Sequence, residues 1–138
     1  MKINVVLDDG AYMPEKAHEA DAGFDLRTPG KVIIPPKSSG IIPTGVHIEI
    51  PFGYVGFLKS KSGLNVKNGI LCEGVIDSGY TGSIVAKLYN HSREEKVFEK
   101  GDKITQIVIL PMPDVEMELA DRLEDTERGD GGFGSSGR

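Results

Sequence analysis

A single all-β domain is what this sequence predicts, on three observations: apolar residues recur in short runs with period two, prolines bound those runs, and glycine is plentiful where they must turn. The 138 residues include 18 glycines and 8 prolines and no tryptophan. That mixture suits short strands joined by tight turns better than long helices. The length is enough for one hydrophobic core and not for two.

In chain order the predicted strands are Lys2 to Leu7, Lys31 to Ile34, Gly45 to Ile50, Tyr54 to Leu58, Ser83 to Asn90 and Lys103 to Leu110. Within the third, Val46, Ile48 and Ile50 alternate with His47 and Glu49, the pattern of a strand with one wet face. Ile84, Ala86 and Leu88 alternate with Val85, Lys87 and Tyr89, whose mixed character predicts a strand covered on both sides. A barrel or a sandwich accommodates both patterns. Pro35, Pro36, Pro43, Pro51, Pro111 and Pro113 stand at strand margins, where a missing N–H breaks no ladder. One short helix is predicted over Ser62 to Asn68, with Ser62 as N-cap and Gly69 just past its end. Gly74 to Gly82 reads as a hairpin, with an apolar approach, a Ser78-Gly79 turn and a return strand from Ser83.

The domain is expected to occupy residues 1–113. From Asp114 the composition turns acidic and then glycine-rich, ending Arg128-Gly129-Asp130-Gly131-Gly132-Phe133-Gly134-Ser135-Ser136-Gly137-Arg138. Residues 114–138 cannot build a core of their own. They read either as a disordered terminus or as an arm that orders over a ligand.

A net charge of −5 gives no basic stripe for nucleic acid, so a polyanionic ligand needs a local basic pocket. The only cysteine, Cys72, has no disulfide partner within the chain, and no apolar stretch of membrane-spanning or signal length occurs. A cytoplasmic protein without a membrane partner is expected. Cys72 reads as a small buried residue, and His18, His47 and His91 lack zinc-ligand spacing and read as surface or half-buried histidines.

Three segments carry chemistry. Asp21 to Thr28 places Asp21 and Asp25 around Gly23 and Phe24, a plausible loop for water-mediated contact with a cation, although such clusters are commonly turns. Ser60-Lys61-Ser62-Gly63-Leu64 opens the predicted helix, so backbone N–H groups, the Ser62 hydroxyl and the Lys61 ammonium can converge on a phosphate; a capped turn with a solvated lysine reads the same way. In the predicted hairpin, Asp77 and Tyr80 bracket the turn.

Taken together, these segments resemble the sequence motifs of the homotrimeric dUTPase family, in order and over nearly the whole chain. The five are Asp21 to Thr28, Ser60 to Leu64, Gly74 to Gly82, Gly101-Asp102-Lys103-Ile104-Thr105-Gln106, and Arg128 to Gly137. The resemblance implies a distorted jelly-roll barrel with one short helix and a flexible C-terminal arm. It implies hydrolysis of dUTP to dUMP and pyrophosphate, which feeds thymidylate synthesis and keeps uracil out of DNA. It further implies Mg2+ as cofactor and a homotrimer whose sites are shared, with residues 114–138 closing a neighbour's site.

By the same resemblance Asp77 is the general base for the water that attacks the α-phosphorus. Tyr80 packs beneath the deoxyribose, and the backbone of Gly74, Val75 and Ile76 pairs with the uracil edge. Lys61, Ser62 and Gly63 meet phosphate oxygens, Gln106 helps hold the water, and Asp25 reaches the metal through water. Phe133 and Gly134 close over the base while Arg128, Ser135 and Ser136 grip the distal phosphates. The family usually has arginine where this chain has Lys61, so the charge is kept and the planar fork is lost. Leu71 stands where some members carry an asparagine, which removes one polar contact to the nucleotide.

Two rivals are weighed. The related dCTP deaminases need a glutamate base where this chain has Lys87. A dUTPase-like module that keeps the pocket but acts by docking to a regulatory protein has no need of the carboxylate at Asp77.

Overall fold

The computed structural model describes residues 1–137, and its backbone forms ten strands and one helix: β1 Val5–Leu7, β2 Gly23–Arg27, β3 Val32–Ile34, β4 Ser38–Pro43, β5 Val46–Ile48, β6 Tyr54–Lys59, α1 Ser62–Asn68, β7 Ile70–Ile76, β8 Val85–Asn90, β9 Lys96–Phe98 and β10 Lys103–Pro111. Six strands make a curled sheet in the order β2-β10-β6-β7-β8-β4, and the pairs β1-β5 and β3-β9 form two small flanking sheets. Every pairing is antiparallel. This is a jelly-roll type of all-β fold with one short helix, as the sequence predicts.

Alternation decides what is buried. Val46, Ile48 and Ile50 from the β5 region and Ile84, Ala86 and Leu88 around β8 all lie in the core, with Leu26, Leu58 and Phe98 packed beside them. Each such side chain contributes roughly 1.5–3 kcal/mol by leaving water. The other face of β8 differs from expectation: Val85, Lys87 and Tyr89 are exposed, so in the single chain this strand is covered on one side only. Asn90 at the end of β8 is a buried tie, donating to Ile34 O at 3.0 Å and Glu94 O at 2.8 Å and accepting from Ser92 Oγ at 2.7 Å.

Helix α1 has the predicted limits. It stops because Gly69 takes the left-handed conformation, φ 66°, which costs glycine little. Its start is different: Lys61 occupies the N-cap in extended geometry with no side-chain capping bond, so Ser62 is the first helical residue and not the cap.

The predicted hairpin is also corrected. β7 pairs with β8 only through Ile70, Leu71 and Cys72, then passes to β6, where Leu58, Phe57 and Gly56 face Gly74, Val75 and Ile76. A turn does close at Asp77 to Tyr80, with Tyr80 N donating to Asp77 O at 3.2 Å and Gly79 at φ 84°. The strands on either side of that turn have parted. Among the described residues, no helix is long and apolar enough to cross a membrane.

Candidate active site

Strand register brings the first group of predicted residues together at one end of the sheet. Asp25 on β2 faces Gln106 on β10, and Gln106 faces Lys59 at the end of β6, where the chain turns into Ser60, Lys61 and helix α1. Gln106 Nε2 donates to Ser60 O at 3.0 Å, and Thr105 Oγ1 donates to Lys59 O at 2.7 Å, pinning the approach to the helix. Gly23 leaves room for this: a Cβ there would overlap the Gln106 amide oxygen.

Asp25 is 5% exposed, an unusual burial for a carboxylate, and two ammonium groups hold it. Lys61 Nζ donates to one oxygen, and Lys103 Nζ lies 2.8 Å from the other. Burial alone would raise its pKa, but the hydrogen bonds and charges of Lys103 and Lys61 outweigh burial and hold the carboxyl below its ordinary value. Asp25 is thus ionised and steers both lysines to one place.

Lys103 was not singled out from sequence. A β-bulge between Lys103 and Thr105 shifts the register there, so simple alternation along β10 misplaces it. Ser62 and Gly63 are exposed on the first turn of α1 beside this cluster, and nothing would meet a Cβ on Gly63. The cluster offers a concentration of positive charge next to uncapped helix-start N–H groups, a setting suited to phosphate oxygens.

The second group sits elsewhere. Glu73 shares a row with Lys59, whereas Ile76 shares one with Gly56, three residues further along both strands, about 10 Å at the usual strand rise. Asp77 lies beyond that row and is exposed. One chain therefore holds the Asp77–Tyr80 turn at the opposite end of β7 from Asp25, Lys61 and Gln106.

That turn has a distinctive neighbour. Once β8 has left at Cys72, Gly74, Val75 and Ile76 have β6 on one edge and, among the described residues, no strand on the other. Alternate residues of a strand direct their N–H and C=O to opposite edges, so this stretch offers main-chain donors and acceptors to a planar polar ligand. Tyr80 borders it. Its hydroxyl donates to Ser83 O at 2.9 Å, and its ring lies so close over Gly82 that a Cβ there would be 2.6 Å from Cζ. The ring is thereby fixed, with 45% of the residue still exposed.

Among the described residues, no hydrogen bond joins the arm to either group. Arg128, Phe133, Ser135 and Ser136 are exposed, and Arg128 Nε is spent on Gly131 O at 2.7 Å within the arm itself. Arg138 lies outside the described residues. Cys72 is buried, and burial pushes its thiol pKa up, in keeping with a packing role.

No group of three or more His, Cys, Asp or Glu among the described residues could hold a metal directly.

Residues 9–137 match the family model described as dUTPase. A curated relative from Clostridioides difficile, deoxyuridine 5'-triphosphate nucleotidohydrolase, is 40% identical over 95% of this chain and 94% of its own. Among solved structures, a mutant Staphylococcus bacteriophage 80alpha dUTPase with dUpNHpp superposes with a TM-score of 0.92 at 31% identity, covering 99% of both chains. A mutant dUTPase from phage phi11 of S. aureus, whose structure concerns coordination of a structural Mg(II) ion, gives a TM-score of 0.84 at 28% identity, covering 91% of this chain and all of that one.

Proposed function

This chain belongs to the dUTPase family and is a dUTP diphosphatase, and on that premise we propose that Asp77 activates the water that splits dUTP between its α- and β-phosphates. The observation that carries the reading is the bare edge of Gly74 to Ile76 with Asp77 and Tyr80 at its end. Uracil presents one N–H donor between two carbonyl acceptors, which that main-chain edge can match. Cytosine presents an amino group in place of one acceptor and leaves buried groups unpaired, a mismatch worth about 1–3 kcal/mol. The Tyr80 ring packs under the deoxyribose and collides with a ribose 2′-hydroxyl.

Asp77 takes a proton from water as the water's oxygen bonds to the α-phosphorus and the bond to the bridging oxygen breaks, leaving dUMP and pyrophosphate. Lys61, Ser62 and Gly63 orient the phosphates, and Gln106, braced on Ser60 O, orients the water. Lys61 acts as a point charge, and its pairing with Asp25 supplies some of the direction that an arginine fork would give. Asp25 would hold Mg2+ through water, where the ion would supply neutralisation of phosphate charge. Arg128, Ser135 and Ser136 grip the distal phosphates as Phe133 and Gly134 close the site.

We read the complete site as assembled from different copies in a homotrimer, a reading supported by the separation of Asp77 from Lys61 along β7 within one chain. The arm supports this. Val115, Met117 and Leu119 are exposed and alternate with Glu116 and Glu118 in the sequence, the pattern of a strand awaiting a partner surface. At up to ~3.3 Å per residue the arm can reach a neighbouring copy.

Hydrolysis in 18O-labelled water tests the point of attack. One label is expected in dUMP and none in pyrophosphate; label in pyrophosphate would place the attack on the β-phosphorus and overturn the role of Asp77 as base at the α-phosphorus.

A further inference from the structure

The Asp77–Tyr80 turn has lost its strand partner at the root, and its far limb is fastened to the β5 region. Thr44 N donates to Ile84 O and Ile84 N to Val46 O, both at 2.9 Å, and Gly45 N donates to Ser83 Oγ at 3.1 Å. His47 extends this row with its ring. Nδ1 lies 2.7 Å from Thr81 O, and Nε2 lies 3.0 Å from Asp8 Oδ1. Asp8 is itself anchored, its N–H donating to Gly45 O at 2.9 Å.

Both groups facing the ring are acceptors, a backbone carbonyl and a carboxylate. A neutral imidazole has one N–H and can satisfy only one of them; the imidazolium has two and satisfies both. We propose that His47 is a positioning residue for dUTP: as the imidazolium it clasps the Asp77–Tyr80 turn, through Thr81, to Asp8 and the β1-β5 sheet, and loss of its proton leaves the ring only one of the two bonds and loosens the turn. This rests on reading that turn as the nucleoside slot.

The charged surroundings agree. Asp8 faces the ring from the turn after β1, Glu49 stands two residues along the same face of the chain, and Val6 lies opposite on β1. Glu49 is engaged by Asn4 Nδ2 at 2.8 Å, and the segment after Tyr80 contributes only the Thr81 carbonyl. Among the described residues, no lysine or arginine lines the depression beside His47. The Thr81 carbonyl first, and Asp8 second, hold the imidazole above its ordinary value of 6.5. A raised folded-state value means that the clasp is complete below pH 6.5 and is lost as pH climbs through that raised value.

The experiment has two arms, on the full chain. Imidazole 15N NMR without nucleotide should show His47 keeping both protons above pH 6.5, its ordinary value, with amide exchange at Gly79 to Gly82 quickening as it titrates. Steady-state kinetics should show KM for dUTP rising about three- to tenfold across that titration with kcat little changed, the effect of losing one charge-assisted hydrogen bond near the surface. His47→Phe should have the high KM at every pH, and Asp8→Asn should move the midpoint to lower pH. If His47 loses its second proton at or below pH 6.5, or if both variants keep the parent's KM profile, the proposal is wrong. Should His47→Phe fail to fold, Asp8→Asn and the NMR arm decide the matter. Absence of dUTP hydrolysis by the parent would instead overturn the functional reading, since the NMR arm needs no substrate.

Discussion

Asp77→Asn is expected to lower kcat for dUTP by about 10²–10⁴-fold while leaving dUTP affinity near that of the parent, because removing a general base forfeits its share of transition-state stabilisation and little ground-state binding. The substitution is nearly isosteric at an exposed position. The main-chain bond from Tyr80 N to Asp77 O, which closes the turn, does not involve the carboxylate. The melting temperature should therefore hold. Single-turnover hydrolysis with a parallel binding titration checks both halves. A variant that still turns over at a tenth of the parent rate would assign the base elsewhere, and one that loses binding would make Asp77 a substrate contact.

Two inactive variants are expected to restore each other. Lys61→Ala damages the phosphate end of β7 and Asp77→Asn the other end, and the structure separates the two along the strand. If each site draws these ends from different copies, trimers reassembled from an equal mixture should recover about one quarter of parental activity, the random share of sites with both ends intact. Sites built within one chain always carry a lesion and recover nothing. Activity after co-refolding, set against each variant refolded alone, separates the two. Recovery near zero despite mixed trimers would contradict the shared site.

The strands legible in the sequence were those with clean alternation, above all Gly45 to Ile50 and Ser83 to Asn90. β2 was not, because it runs against the usual rule: Phe24 points to solvent and Asp25 inward, where two lysines hold it. Read by hydropathy, Asp21 to Thr28 is a loop. β4 is rich in small and polar residues and ends in Pro43, tolerable because it is an edge strand. β9 has only three residues and takes its identity from pairing with β3. Helix α1 was legible because Gly69 marks its end in the sequence.

For the site, residue types were readable and arrangement was not. Asp77, Tyr80, Lys61 and Gln106 stand in recognisable segments, but their separation to two ends of β7 follows from strand order, which no local pattern encodes. Lys103 was hidden by a bulge. The part taken by His47 depends on a carbonyl 34 residues away, so in sequence it read as an ordinary histidine.

The most direct test of the account is pyrophosphate release by the purified protein with Mg2+, offering dUTP, UTP, dTTP and dCTP in parallel. The bare edge of β7, the fixed Tyr80 ring and Asp77 together predict rapid release from dUTP and about 10²-fold less from UTP and dCTP, the discrimination expected when buried polar groups or a steric wall reject the wrong nucleotide. Comparable release from UTP or dCTP, or binding of dUTP without release, would contradict it.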